Sequence, residues 1–384
     1  MKRLVICCDG TWKRADEINV SNIEKIARAV DPEPSGGPVQ IAYYSSGVGT
    51  GATRTDRVLG GAFGLGLDTA LVGAYRFLAL NYNPGDEVFV FGFSRGAYTA
   101  RSLVGMISRI GLLTSDGVAR NELKNAIAVY RNDTPASSKD KESFRKLCHP
   151  ESDVEIGFLG VFDTVGTMGV PGLGRRKYGF HNVELAPCVR FARQALALDE
   201  RRRPFTPSVW SRGKATGTDV KQVWFQGVHT DIGGGYEESE LSDITLSWMM
   251  REAGERGLVF HDWSDVEPRI DPRTESHDSM TGWYELAGTV EVVGRRLARR
   301  PDHRFRQGRR ILEIRESDGQ SGDCDVRLAE PAYAHWKRSV EEGTGSLSNV
   351  GWWIKELERR RVDPSTRIES ISKRTQLQSH SVDA

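Results

Sequence analysis

Residues 87–107 read EVFVFGFSRGAYTARSLVGMI, and this stretch decides the fold. Its first part, EVFVF, is rich in Val and Phe, as buried strands are. Its last part, RGAYTARSLVGMI, carries apolar residues at the spacing of a helix. Between them lies the pattern G-x-S-x-G, in which Gly92 and Gly96 flank Ser94. The stretch therefore predicts a strand, a sharp turn and a helix, with Ser94 at the carboxyl end of the strand as a candidate nucleophile.

Four further apolar runs end at Gly, Ser, Asp or His. The runs are RLVICCDGT (3–11), VQIAYYSSGVGT (39–50), VEIGFLGVFDTVG (154–166) and KQVWFQGVHTDIGGGY (221–236). Helical spacing recurs in LDTALVGAYRFLALNY (67–82) and LSDITLSWMMREAGERG (241–257). Buried strands that alternate with helices are typical of a parallel sheet. The sequence predicts the α/β class and an α/β-hydrolase-like fold, with a mostly parallel central sheet flanked by helices.

The chain is expected to divide into two parts. Residues 1–300 are predicted to form the catalytic domain, and residues 301–384 a C-terminal helical extension with a mobile tail. A Gly-, Pro- and Arg-rich insertion at about residues 169–217 interrupts the catalytic domain. Within it, LAPCVRFARQALALDE (185–200) is interpreted as a helix. We therefore expect a cap-like helical insertion near the site.

Three residues are predicted to act together. A serine hydroxyl becomes nucleophilic when a histidine accepts its proton and a carboxylate holds that histidine. In this fold the chain order is Ser, acid, His. Asp163 directly follows the run IGFLGVF and His229 directly follows the run VWFQGV, so both are expected at the sheet edge that carries Ser94. Asp231 is the alternative acid and His277 the alternative base, and the other interpretation is that Asp163 and His229 are only turn residues.

Ester hydrolysis also needs donors for the oxyanion that forms on the carbonyl oxygen. One donor is expected from the backbone N–H of Arg95, directly after Ser94. The other is expected from the loop after the first strand, where Asp9, Gly10 and Thr11 follow LVICC. The N–H of Gly10 or Thr11 is the candidate donor. Asp9 is an alternative site residue, and a merely structural Asp-Gly turn is the other interpretation.

Composition and charge argue against several classes of function. With 53 Lys and Arg against 52 Asp and Glu, the formal charge is +1, and no nucleic-acid partner is predicted. The 5 cysteines are odd in number and lack a C-x-x-C pair, which suits a reducing compartment. The fragments HTD and HDS lack metal-ligand spacing, and glycine-rich residues 47–66 lack a phosphate-loop pattern. Neither a metal nor a cofactor is therefore expected.

No signal peptide or transmembrane segment is predicted. Only the apolar run Leu4–Cys8 follows the basic residues at the start, and no uncharged apolar stretch approaches the ~20 residues that span a bilayer. We expect a protein that is cytoplasmic as synthesised. Export by a dedicated secretion system is compatible with this expectation, because such export needs no cleavable signal.

Seven segments together resemble a known family. They are CDGTW (8–12), VSNIEKI (20–26), SGVGT (46–50), GFSRGAYTAR (92–101), GVFDTVGTMG (160–169), ALALDERRRPF (195–205) and GVHTDIGGGY (227–236). Over roughly residues 1–300 the chain is similar to the uncharacterised α/β-hydrolase domain family that includes the Tle1-like phospholipase effectors of bacterial type VI secretion. The resemblance implies a lipase-like ester hydrolase, in which Ser94, Asp163 and His229 match the triad elements.

The leading hypothesis is hydrolysis of acyl esters through a covalent intermediate on Ser94. The resemblance favours a lipid or phospholipid substrate, met at a membrane surface. A soluble carboxylesterase or depolymerase that acts on a non-lipid ester is one alternative. A non-catalytic protein-interaction module is another, although such a module has no physical reason to keep the serine, the acid and the histidine together. The sequence does not identify a protein partner.

Overall fold

A computed structural model of the chain describes residues 1–10, 19–46, 60–131, 144–150, 153–165, 184–202, 205–211, 215, 217–261, 268, 270–271, 273–280, 305–306, 309–310, 312, 325–343 and 349–371. For residues 60–68, 131, 305, 306, 309 and 325 only the backbone is described.

Strands and helices alternate along the first two thirds of the chain. The strands are β1 (Arg3–Cys8), β2 (Gln40–Ser45), β3 (Glu87–Phe93), β4 (Ile156–Phe162), β5 (Val189–Ala197), β6 (Asp219–Phe225), β7 (Phe305–Arg306), β8 (Arg309–Arg310), β9 (Asp325–Ala329) and β10 (Ile368–Glu369). The helices are α1 (Asn22–Ala29), α2 (Gly60–Asn81), α3 (Arg95–Ile110), α4 (Ser115–Ala119), α5 (Leu123–Arg131), α6 (His229–Gly233), α7 (Glu240–Gly254), α8 (Glu330–Glu341) and α9 (Asn349–Arg359).

One parallel sheet of eight strands organises the molecule, in the order β2-β1-β3-β4-β5-β6-β9-β10. Helices cover both faces. Val5 and Cys7 of β1 belong to the core that includes α1 and α7, whereas Leu4 and Ile6 belong to the core that includes α2 and α3. This alternation is what a strand buried on both faces requires. The predicted α/β-hydrolase-like fold is confirmed.

The order of the strands reverses beside β1. The chain runs from β1 outward to β2 and then returns to β3 on the other side of β1. In parallel sheets a crevice opens at the carboxyl ends of the strands where the order reverses, and ligands bind there. Gly10 follows β1 and Ser94 follows β3, so both lie at this crevice.

The interpretation of residues 185–200 as a helix is wrong. Val189–Ala197 forms β5, which pairs with β4 on one side and with β6 on the other. The segment misleads because Ala, Arg, Gln and Leu favour helices and its apolar residues recur at helical spacing. Pairing with a strand on each side overrides this preference. This part of the insertion therefore belongs to the sheet and not to a cap, and residues 169–183, 203–204, 212–214 and 216 lie outside the described residues.

The region after residue 300 contributes strands as well as helices. β9 and β10 extend the sheet beyond β6. Trp353 and Leu357 of α9 are buried in the same core as α7. Short strands of mixed polarity give little periodic signal, which is why the sequence indicates a helical extension only. The domain boundary at residue 300 stays a prediction, and the tail at residues 372–384 lies outside the described residues.

Strand β5 carries a fully buried arginine. Arg193 donates through Nε to Glu252, and its two terminal nitrogens lie 3.2 and 3.1 Å from the carboxylate of Asp219. Lys221 also donates to Glu252, over 2.8 Å. Such a pair is stable only while both charges are present, because a buried charge without a partner carries its full desolvation cost.

Replacement of Arg193 by methionine is expected to lower the free energy of unfolding by about 2 kcal/mol, since Glu252 loses its fully buried partner and keeps the more exposed Lys221 and Arg256. The matched control is Arg190→Met on the same strand, where the side chain is 64% exposed. This control is expected to change stability by less than about 0.5 kcal/mol. Urea unfolding measures both variants. Equal losses of stability in the two variants would contradict the burial of Arg193 in the middle of the sheet.

Candidate active site

Ser94 occupies the turn between β3 and α3 in a strained backbone conformation. Its φ is 57°, in the left-handed region that non-glycine residues seldom adopt. The two flanking glycines make the turn sterically feasible. A Cβ on Gly92 would lie 2.6 Å from the carbonyl oxygen of Gly96, and a Cβ on Gly96 would lie 2.1 Å from that of Cys8. The G-x-S-x-G spacing is therefore a packing requirement of this turn.

His229 begins the short helix α6 directly after β6. Its ring lies between two phenylalanines, with centroids 4.7 Å from Phe93 and 4.9 Å from Phe205. Gly233, at the end of α6, allows the close approach of Phe93, because a Cβ there would lie 2.0 Å from the Phe93 ring. Gly233 thus lets Phe93, beside Ser94, pack close to the end of α6, while the Phe93 ring also contacts the imidazole of His229.

Asp163 follows β4 and is completely buried. Its φ of 37° is again in the left-handed region, which aspartate tolerates better than most residues. Oδ1 accepts the backbone N–H of Ala197 at 3.0 Å. The guanidinium of Arg310 lies against both oxygens, at 2.6 Å from Oδ1 and 3.0 Å from Oδ2. The carboxylate is therefore fixed in one orientation.

The three predicted residues form one hydrogen-bonded chain. Nε2 of His229 lies 2.8 Å from Oγ of Ser94, and Nδ1 of His229 lies 2.6 Å from Oδ2 of Asp163. Ser94 is 6% exposed and His229 is 5% exposed, so the chain is shielded from bulk water. An imidazole held by a carboxylate on one nitrogen can accept a hydroxyl proton on the other.

Burial and charge set the protonation of this chain. Burial alone would raise the pKa of Asp163, but the Arg310 guanidinium and the hydrogen bond from His229 hold it well below its usual range. Burial lowers the pKa of His229, and the hydrogen bond and charge of Asp163 oppose this shift only in part. An ionised acid beside a neutral imidazole is the state that a general base requires.

A second buried carboxylate, that of Glu200, holds the backbone of His229. Glu200 is fully buried and accepts the backbone N–H of His229 at 3.2 Å. Arg202 donates to it from Nε at 2.9 Å and from Nη2 at 2.8 Å, and Ser279 donates its hydroxyl at 3.0 Å. Burial alone would raise the pKa of Glu200, but its hydrogen bonds and ion pair with Arg202 lower it overall. Glu200 therefore anchors the start of α6 as a charged group.

A sequence model described as the catalytic domain of Tle1-like phospholipase effectors of the type VI secretion system matches residues 2–252. The chain belongs to this family.

The relatives of this Tle1-like chain differ in how much they share with it. An uncharacterized protein of Saccharomyces cerevisiae is 32% identical over 225 residues, which cover 53% of this chain and 32% of that protein. The chain thus spans about a third of the length of this curated relative.

Two solved structures are similar at low identity. An uncharacterized protein from Pseudomonas aeruginosa shares 16% identity with a TM-score of 0.45, covering 74% of this chain and 48% of its own. A Tle1 effector bound to the VgrG spike of the type VI secretion system also shares 16% identity, with a TM-score of 0.44 and coverage of 84% of each chain.

In this Tle1-like domain the alternative acid and the alternative base are paired with each other. Nδ1 of His277 lies 2.6 Å from Oδ1 of Asp231, and the ring of Tyr236 stacks on His277 at 4.1 Å. Asp231 also accepts the backbone N–H of Val228 at 2.9 Å, at the start of α6. Burial raises the pKa of Asp231, and these hydrogen bonds oppose the shift. The pair fastens residues 273–280 to α6.

The structure describes two of the three residues that are predicted to supply an oxyanion donor. The N–H of Arg95 belongs to the first residue of α3, directly after Ser94. Gly10 lies close to Ser94, since a Cβ on it would be 3.4 Å from Cβ of Ser94, and its N–H donates to Oδ1 of Asp9 at 2.6 Å. Thr11 lies outside the described residues.

Asp9 is itself buried at the base of this loop. Its Oδ2 accepts the hydroxyls of Ser21 and of Tyr44, at 2.5 and 2.8 Å. Burial raises the pKa of Asp9, and these hydrogen bonds oppose the shift. Asp9 therefore fixes the shape of the loop that carries Gly10.

Two further findings concern the part of the chain that the structure describes. No group of three or more His, Cys, Asp or Glu side chains there is arranged to hold a metal ion. None of the helices described is both long enough and apolar enough to cross a bilayer.

Sequence reasoning missed two charged residues of the site. Arg310 lies among many arginines in RRLARRPDHRFRQGRRILEIR (295–315), where no periodicity or motif singles it out. Glu200 lies in ALALDERRRPF, where three arginines follow it and no motif singles it out as a charged residue of the site. The signal for Glu200 is the acidic pair Asp199 and Glu200 that directly follows the apolar run ALAL at the start of that segment.

Proposed function

We propose that this chain is a serine hydrolase that cleaves acyl esters of lipid or phospholipid through a covalent acyl intermediate on Ser94. The observation that carries the proposal is the buried hydrogen-bonded chain from Ser94 Oγ through His229 to Asp163, with steps of 2.8 and 2.6 Å. Family membership supports the choice of lipid and, with it, delivery by a type VI secretion system.

In the first step Oγ of Ser94 attacks the ester carbonyl carbon while Nε2 of His229 takes the hydroxyl proton. The negative charge moves to the carbonyl oxygen, and the N–H of Arg95 is a proposed donor to it. The second proposed donor is the N–H of Thr11 or that of Gly10, and the latter must first leave Oδ1 of Asp9. The ester C–O bond then breaks, and the leaving alkoxide takes the proton from Nε2 of His229. The acyl group remains on Ser94.

In the second step a water molecule attacks the acyl carbon while His229 takes its proton. The bond to Oγ breaks, Ser94 recovers the proton from His229, and the free fatty acid leaves. Asp163 stays ionised throughout and stabilises the positively charged imidazole that exists in each step.

Labelling with a fluorophosphonate tests the activated serine directly. We expect the reagent to label Ser94 in the wild-type protein and not to label the His229→Ala variant. The Ser35→Ala variant is expected to be labelled to the same extent as the wild type. Ser35 is a suitable control because it lies exposed in a turn remote in sequence from the site. Peptide mass mapping locates the label.

Hydrolysis of phosphatidylcholine and phosphatidylglycerol vesicles is then compared with hydrolysis of p-nitrophenyl butyrate. Turnover of vesicles with release of fatty acid supports the lipid substrate. Turnover of the soluble ester alone favours a carboxylesterase. Absence of labelling in folded wild-type protein would overturn the proposed mechanism and favour a non-catalytic interaction module.

A further inference from the structure

Arg310 reaches the candidate active site from a part of the chain beyond the family match, which ends at residue 252. It lies on β8, in a two-stranded antiparallel ribbon with β7 that is separate from the main sheet. Its side chain is nevertheless 1% exposed. A guanidinium is costly to bury, so its contacts must compensate for the water that it loses.

Four acceptors surround the guanidinium. Nη1 lies 2.6 Å from Oδ1 of Asp163, and Nη2 lies 3.0 Å from Oδ2 of the same carboxylate. Nη1 also donates to the carbonyl oxygen of Ala197 at 2.8 Å, and Nη2 donates to that of Phe205. Two parallel bonds to one carboxylate fix its plane as well as its position, which a single point charge does not do.

The orientation of this carboxylate matters because each oxygen already has another partner. Oδ1 accepts the N–H of Ala197 at 3.0 Å, and Oδ2 accepts from Nδ1 of His229 at 2.6 Å. Rotation of the carboxylate would lengthen the bond to His229. The two parallel hydrogen bonds from Arg310 to the carboxylate prevent that rotation.

The backbone of Arg310 is held in turn by α9. Nδ2 of Asn349, the first residue of α9, donates to the carbonyl oxygen of Arg310 at 3.2 Å and to that of Leu198 at 3.0 Å. Leu312, two residues after Arg310, is fully buried in the core. The end of β5 and the β7–β8 ribbon are thus fastened together beside Asp163.

We propose that Arg310 is a positioning residue of the Ser94 site, which holds the Asp163 carboxylate against His229, and that the chain beyond the family match is needed to complete the site. This proposal rests on the proposed function. It assigns a role in the reaction to a residue outside residues 2–252.

A purely structural arginine and a positioning arginine differ in their effect on His229. Burial lowers the pKa of His229, the carboxylates of Asp163 and Glu200 raise it, and the charge of Arg310 lowers it. Arg202 is paired with Glu200, and on α6 itself Asp231 is paired with His277. Removal of the Arg310 charge alone raises the pKa of His229, whereas a loosened hydrogen bond to Asp163 lowers it. These two effects on the acid limb of kcat/KM oppose each other, so the state of the bond from His229 to Asp163 distinguishes a positioning arginine from a structural one.

The experiment compares Arg310→Met and Arg310→Lys with Arg193→Met, the loss of an equally buried arginine that pairs with Glu252 and Asp219 instead of Asp163. Each full-length variant is measured for kcat and KM on p-nitrophenyl butyrate, for the pH profile of kcat/KM, and for urea unfolding. The downfield proton resonance of the Nδ1–H of His229 is recorded in each variant without substrate.

For Arg310→Met we expect kcat to fall about 10- to 100-fold with KM changed less than about twofold, and the downfield resonance of the Nδ1–H of His229 to move upfield or disappear, because the bond to Asp163 lengthens. Arg310→Lys keeps the charge and is expected to restore only part of kcat and of the downfield resonance, because an ammonium cannot hold both oxygens. Arg193→Met is expected to lose stability with the wild-type kcat, pH profile and downfield resonance retained.

Wild-type kcat and an unchanged downfield resonance in Arg310→Met, with a loss of stability like that of Arg193→Met, would overturn the proposal. If Arg310→Met does not fold, Arg310→Lys decides: an unchanged kcat and an unchanged downfield resonance would overturn it equally. The proposed function fails separately, through absence of fluorophosphonate labelling in the wild type. The resonance still tests whether Arg310 positions Asp163 in that case.

Discussion

Replacement of Ser94 by alanine is expected to lower kcat on the order of 10⁵- to 10⁶-fold, because no other hydroxyl is hydrogen-bonded to Nε2 of His229 among the described residues. The oxyanion donors and substrate binding remain, so a small rate above that of water is expected to persist. KM should change little, since Oγ contributes to bond formation and hardly to binding. The measurement is steady-state hydrolysis of p-nitrophenyl butyrate and of phospholipid vesicles.

The control is Ser35→Ala, which is expected to match the wild type in kcat. Both variants should unfold at the wild-type urea concentration, because alanine fits the space of serine at either position. A Ser94→Ala protein that retains more than about 1% of wild-type kcat would show that a water molecule activated by His229, and not Ser94, is the nucleophile.

Replacement of Asp163 by asparagine is expected to lower kcat about 10⁴-fold. The amide nitrogen of asparagine can donate to Nδ1 of His229, which favours the tautomer that carries its proton on Nε2. That tautomer cannot accept the proton of Ser94. Asparagine also leaves the Arg310 guanidinium without a counter-charge, so the free energy of unfolding should fall by about 3 kcal/mol.

Asp86→Asn is the matched control for this variant. Asp86 is a buried aspartate before β3, at the opposite edge of the sheet, and it also accepts a backbone N–H and pairs with a cation, Lys2. We expect Asp86→Asn to lose stability while kcat stays within about twofold of wild type. If Asp163→Asn keeps kcat within tenfold of wild type, the acid that supports His229 is not Asp163, and Glu200 becomes the residue to replace.

Strong local signals made the core of the candidate site predictable. Ser94 was identified because its turn needs glycine on both sides, which leaves a readable spacing in the chain. Asp163 and His229 were identified because each directly ends an apolar run, and the ends of parallel strands meet at one edge of a sheet. Their roles in catalysis stay predictions that the experiments above test.

Other parts of the site have no local signal. β5 was interpreted as a helix because its own composition favours one, and only the strands on either side make it a strand. Arg310 could not be predicted, because it contacts Asp163 over a separation of 147 residues. The β7–β8 ribbon that carries it has only two residues in each strand and gives no periodic signal in the sequence. The pairing of Asp231 with His277, two residues that the sequence left as alternatives, likewise depends on how residues 273–280 fold back onto α6.

By itself the sequence determined the parallel sheet, the nucleophile turn and the order of serine, acid and histidine along the chain. These features depend on the periodicity of neighbouring residues and on the steric needs of a single turn. Both are determined by residues that are close together in the sequence. Only the tertiary structure decided which charges surround the histidine. Glu200 and Arg202 come from the segment after β5, and Arg310 comes from β8. The electrostatic field at a buried site depends on distances in space that no local pattern encodes.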